Sequence, residues 1–222
     1  MIIGNGLIAQ SLQFIDKETH LFFASGVSNS LETRSSEFER EFILLKNSLE
    51  EYPDARLVYF STLSINDQSK QDSHYVLHKL KLEEYIRNHA SSHLILRIGN
   101  IVGNGGNPNT LFNFLKTRIS HGETFTIHQR ARRLLLDIDD VSKFLQVNGP
   151  YLNNQIINFA YPYYFDLKEI VQALETRMQK KAIYREADEG DFYKVDFDET
   201  ANSFFNGINA DDYLRVLAGK YI

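Results

Sequence analysis

The chain contains no cysteine, which excludes disulfides and thiolate chemistry and fits a reducing compartment. No apolar run approaches the roughly 20 residues that span a bilayer. No signal-like segment precedes the first strand, which begins at once, so a cytoplasmic protein is the expectation. There is no basic excess either. The 24 Lys and Arg stand against 29 Asp and Glu, a net charge of −5, which argues against a general nucleic-acid binder. Internal repeats and low-complexity segments are absent. What is present is a soluble globular composition, 43% hydrophobic and 24% charged. A length of 222 residues suits one domain, or one domain with a small lobe.

The first half alternates apolar runs with helical patterns. Met1–Ile3, Leu21–Ala24, Leu57–Phe60 and Leu94–Ile98 read as buried strands. Helices are expected over Leu7–Phe14, Ser36–Tyr52 and Ser73–His89, and Asn100–Asn109 reads as a Gly/Asn/Pro loop. This alternation predicts an α/β, Rossmann-like parallel sheet with helices on both faces. The second half is less regular. Helices are expected over Leu111–Ile119, Asp140–Val147 and Asp166–Gln179, and strands over Thr124–Ile127, Leu134–Asp137, Ile156–Phe159 and Ala182–Tyr184. The tail, Asp196–Ile222, reads as two helical pieces.

Gly4-Asn5-Gly6-Leu7-Ile8-Ala9 sits between the first strand and the first helix, where a dinucleotide fingerprint belongs. Gly4 permits a tight turn, Gly6 lets the backbone approach a pyrophosphate, and Ala9 allows close packing of helix and strand. The acidic residue expected about 20 positions on is missing, and Ser25-Gly26 stands there instead. Tyr75 and Lys79 lie one helical turn apart, after an apolar run ending in Ser61-Thr62. An ammonium beside a phenol stabilises the phenolate, and a strand-end hydroxyl can hold a substrate oxygen against it. Together they make a general acid/base for sugar or alcohol chemistry.

Other patterns have plainer readings. His74 and His78 have a zinc-compatible spacing but no third ligand, so no metal is expected. Asp137, Asp139 and Asp140 read best as acidic residues at a helix start. Gly103–Gly106 lacks the Gly-Lys-Ser/Thr of a P-loop. The aromatic run Tyr161–Phe165 suits sugar stacking or core packing.

In order, the motifs GNGLIA, LFFASG, LVYFSTLS, YVLHK, LRIGNIVG and RRLLLDIDDV resemble the extended short-chain dehydrogenase/reductases, specifically the NAD-dependent epimerase/dehydratase group acting on nucleotide sugars. The resemblance covers almost the whole chain. It implies NAD or NADP held by Gly4, Gly6, Leu7, Ile8, Ala9, Ser25, Gly26, Ser61, Tyr75 and Lys79. It implies catalysis by Tyr75, Lys79 and Thr62, and a nucleotide-linked sugar bound by Asn100 and Arg133, with epimerisation, dehydration or reduction as the reaction. Arg97 and Arg132 join Arg133 as local positive groups for such an anion. It further implies a cofactor core over 1–110 and 128–160, a small C-terminal substrate lobe over 111–127 and 161–222, and a homodimer through helices 36–52 and 73–89.

The sequence departs from that family by a deletion. LFFASG matches the family's fourth strand yet begins about 20 residues into the chain. The second and third family strands, which build the adenosine half of the cofactor site, are missing. A truncated sheet of five strands is therefore expected, with its first strand exposed or paired elsewhere. The same gap motivates a rival reading: a non-redox relative serving as a sugar-nucleotide binding or regulatory module.

Overall fold

The computed structural model describes residues 1–222. Five parallel strands form the main sheet in the order β1-β2-β3-β4-β8. They are β1 (Ile2–Ile3), β2 (His20–Phe23), β3 (Arg56–Thr62), β4 (His93–Ile98) and β8 (Gln155–Phe159). Strand β3 lies at the centre, and its residues after Arg56 are all buried. Its near-continuous run of apolar and aromatic residues is what a strand covered on both faces requires. Alternation divides that run between the faces. Leu57 and Tyr59 pack with helices α2 (Ser35–Glu51) and α3 (His74–His89), through Leu45, Leu82 and Ile86. Val58 and Phe60 join the larger core on the opposite face.

That larger core is built on α1 (Leu7–Ser11) and α5 (Ile138–Val147) and continues into the rest of the chain. Strands β5 (Asn100–Val102), β7 (Arg132–Asp137) and β9 (Tyr164–Asp166) form a second small sheet. Strands β6 (Phe125–His128) and β10 (Tyr184–Ala187) pair in parallel. Helices α4 (Leu111–His121), α6 (Leu167–Met178), α7 (Glu199–Phe204) and α8 (Ala210–Tyr221) complete the fold. Phe204 meets Phe144 and Phe159 edge-on and Phe205 stacks on Phe159, so the C-terminal segment shares the core of the main sheet. No helix is long and apolar enough to cross a membrane.

Two strands stand where none was expected, one in the loop Asn100–Asn109 and one at the end of the aromatic run Tyr161–Phe165. Asn100–Val102 pairs in parallel with Leu135–Asp137, and Tyr164–Asp166 pairs antiparallel with Arg132–Leu134. Each is three residues long, too short for a period of two to emerge from its Gly-, Asn- and Pro-rich surroundings. The first helix is shorter than expected. It ends at Ser11, and a tight turn over Gln13–Ile15 leaves Phe14 96% exposed while Leu12 is fully buried. Asp137 caps α5 by accepting from the Asp139 N–H, in line with the helix-start reading. The same carboxylate also accepts from Lys220 Nζ (2.6 Å) and the Tyr221 hydroxyl, fastening α8 to the β7–α5 junction.

The edge strand β1 pairs with β2 alone, through Phe22 N–H to the Met1 carbonyl and Ala24 N–H to the Ile3 carbonyl, both 2.8 Å. The five-stranded count and the bare first strand agree with the deletion inferred from the motif order.

Candidate active site

A cleft of about 740 Å³ opens at the carboxyl ends of β1 to β4. That is where a parallel sheet places its ligand site, because the connecting loops splay apart there. Gly6, Leu7, Ile8, Ser25, Gly26, Ser61, Thr62, Tyr75, Lys79 and Asn100 all line it. Gly4, Ala9 and Arg133 do not. Gly4 works behind the wall. Its φ of +128° is left-handed, and a Cβ there would meet the Ala24 carbonyl oxygen at 2.5 Å. Gly4 therefore lets the β1–α1 turn seat directly on the end of β2. Ala9 is buried beneath the turn. Arg133 is partly buried, its Nη1 donating to the Arg132 carbonyl at 2.8 Å. Burial lowers its pKa, with Tyr193 and Asp67 opposing.

Thr62 ends β3, and its Oγ1 accepts from the Ser64 N–H at 3.1 Å, capping the tight turn Leu63–Asn66. Ser61 Oγ is buried without a hydrogen-bond partner in the chain. Asn100 is exposed, and its Nδ2 donates to the Leu134 carbonyl at 3.2 Å. Tyr75 and Lys79 share one side of α3, with Lys79 Nζ 5.8 Å from the Tyr75 ring centroid. Arg97 is committed elsewhere, donating to the buried Glu83 carboxylate at 2.6 and 3.0 Å.

Lys79 is only 2% exposed, and its ammonium is paired. Nζ donates to Glu41 Oε1 at 2.8 Å and to the Tyr59 hydroxyl at 3.1 Å, and Tyr59 in turn donates to Glu41 Oε1 at 3.1 Å. Glu41, on α2, is fully buried. Its Oε2 accepts from the Val27 N–H at 2.8 Å and lies 3.0 Å from His78 Nε2. Burial alone would raise the carboxyl's pKa. The Lys79 charge and the bonds from His78, Lys79 and Val27 outweigh it and bring the value to about 2. Tyr59 is pushed well up by burial and by the Glu41 charge.

Neither Glu41 nor Tyr59 stands out in the sequence. One signal was available. Glu41 falls three after Phe38 and four before Leu45, so it sits in the buried stripe of α2. His78 is turned toward this carboxylate, while His74 is exposed. Gly26 closes the cluster from above, since a Cβ there would lie 2.8 Å from Lys79 Nζ and 3.0 Å from Glu41 Oε1. Arg40 and Lys79 are the only charged side chains on the cleft wall, which is otherwise amide, hydroxyl, glycine and apolar. Tyr193, from the segment after β10, reaches the wall as well.

No family model matches this sequence, and no curated protein does. Solved structures match the fold. MoeE5 in complex with UDP-glucuronic acid and NAD superposes with a TM-score of 0.73 at 16% identity, covering 99% of this chain and 83% of that one. The UDP-N-acetylglucosamine 4-epimerase of Methanobrevibacter ruminantium M1, in complex with UDP-N-acetylmuramic acid, gives 0.72 at 14%, covering 99% and 81%. RMD of Pseudomonas aeruginosa, complexed with NADPH, gives 0.70 at 13%, covering 98% and 87%. The chain has their fold. At this identity the likeness is one of architecture.

Proposed function

We propose that this protein is an NAD(P)-dependent enzyme acting on a nucleotide-linked sugar by epimerisation, dehydration or reduction. One observation carries the reading. Tyr75, Lys79, Thr62 and Ser61 meet the Gly6–Ile8 turn and Ser25-Gly26 in a single cleft at the strand ends. In this reading Tyr75 exchanges a proton with a sugar hydroxyl or keto oxygen, and Thr62 orients that oxygen. Gly6, Leu7 and Ile8 offer backbone to the cofactor's pyrophosphate, and Ser61 Oγ, unpartnered within the chain, offers it a polar contact. When bound, the nicotinamide supplies or takes up hydride. Asn100 and Arg133 serve the sugar nucleotide. The division into a cofactor core and a C-terminal substrate lobe, a homodimer through α2 and α3, and a cytoplasmic location belong to the same reading. The NAD, NADPH and UDP-sugars held by proteins of the same fold support it.

The test is a fluorescence titration with NADH and NADPH, followed by turnover assays with nucleotide sugars. Tyr75→Phe is expected to keep the fold and lower kcat by about a hundredfold or more. No cofactor binding up to millimolar concentration would overturn the redox reading. A second reading, a non-redox binding or regulatory module, draws support from the five-residue α1 and the absence of a strand beyond β1. It predicts that a nucleotide sugar binds without any cofactor.

A further inference from the structure

We infer that Glu41 is a positioning residue for Lys79, and that it leaves the ammonium one free donor for a ligand in the cleft. An ammonium carries three N–H donors. One goes to Glu41 Oε1 and one to the Tyr59 hydroxyl. The third is the only one a ligand can take. Glu41 also compensates the lysine charge within the cluster. What Lys79 presents to the cleft is therefore a single hydrogen-bond donor on a compensated charge, rather than a free cation.

The arrangement is built from four directions. Glu41 comes from α2, Tyr59 from β3, and His78 and Lys79 from α3. The Val27 N–H comes from the loop after β2. That loop borders the cleft, so the carboxylate that holds the lysine also holds the adjacent wall. Gly26 is part of the device, because a Cβ there would lie 2.8 Å from Nζ. A fully buried carboxylate at a helix position is costly unless every lone pair finds a partner. Here both oxygens do.

Two arms test the inference. The first is acetylation with N-hydroxysuccinimide acetate, read lysine by lysine by peptide mass spectrometry. In the wild type Lys79 is expected to react far more slowly than the half-exposed Lys46. Glu41→Gln removes the charge and keeps the shape, and should raise Lys79 labelling about tenfold or more relative to Lys46. Leu45→Ala loosens the same helix without touching the ammonium, and should leave Lys79 protected. An unchanged Lys79 rate in folded Glu41→Gln, or an equal rise in Leu45→Ala, overturns the proposal. Should Glu41→Gln fail to fold, Glu41→Asp withdraws the carboxylate by one methylene. It should give a smaller rise, and no rise overturns the proposal.

The second arm rests on the cofactor reading above. Tyr59→Phe removes a buried acceptor of Lys79 that does not line the cleft and leaves the free donor in place, so NADH affinity should stay within about threefold. An affinity changed about tenfold or more with the fold intact refutes the one-donor arithmetic. A wild-type protein that binds no NADH defeats the cofactor reading, while the labelling arm still decides the role of Glu41.

Discussion

Replacing Glu41 by Gln should make the protein less stable at neutral pH and less sensitive to acid. The carboxyl is fully buried, and its pKa falls from 4.5 to about 2 on folding. A shift of that size corresponds to roughly 3 kcal/mol of folding free energy. Because the folded-state value lies below the unfolded one, that stabilisation is complete above the unfolded pKa. It is lost as the pH falls toward the folded value. Linkage puts about 2 kcal/mol of the loss between pH 7 and pH 3. The gap in unfolding free energy between wild type and Glu41→Gln should accordingly be about 3 kcal/mol at pH 7 and about 1 kcal/mol at pH 3. Urea unfolding at several pH values, followed by circular dichroism, measures both. Comparing the two proteins cancels the remaining carboxylates, which titrate in each. A gap that stays constant with pH would refute the argument, because the variant would then be losing packing rather than an ionised, paired carboxylate.

Gly4→Ala forces a side chain into a left-handed backbone against the Ala24 carbonyl, and should cost about 2 kcal/mol or more in a urea melt while weakening NADH binding. Lys220→Met leaves the buried Asp137 with the Tyr221 and Asp139 contacts only. Because the lysine is one-third exposed, the loss should be modest, about 1 kcal/mol, and seen as faster proteolysis of the C-terminal helix. Sedimentation should give a dimer that Leu77→Glu disrupts, since Leu77 and Ile43 are the large apolar side chains left exposed on α3 and α2, 51% and 48%.

The main sheet was legible because its strands are covered on both faces. Leu57–Phe60 is apolar and aromatic without interruption, Leu94–Ile98 is broken only by Arg97, and few other structures bury such short runs. The cleft residues followed from where those strands end. The short strands Asn100–Val102 and Tyr164–Asp166 were not legible, since each exists only through its pairing with Arg132–Asp137, far away in sequence. Glu41 was hidden for a related reason. In a helix that reads Glu37, Glu39, Glu41, the apolar stripe marks Glu41 as the buried one, but nothing local names the lysine 38 positions later that it meets. Lys79 was singled out by its spacing to Tyr75. The commitments of its donors became visible only when α2 was set against α3.

The bare edge of the sheet has a consequence for how the molecule opens. Strand β1 is two residues long and is held to β2 by bonds that include those to the Met1 and Ile3 carbonyls and one from the Met1 ammonium to the His20 carbonyl at 2.7 Å. The centre of the sheet is tied on both sides along the length of β3. Amide hydrogens around Ile2–Gly6 should therefore exchange with solvent through local fraying, long before those of Val58–Phe60, which wait for global unfolding. The turn that would cradle a cofactor hangs from this two-residue edge strand. A ligand that seats there should slow exchange at the edge by a larger factor than anywhere in the core, and so mark its own footprint in deuterium uptake.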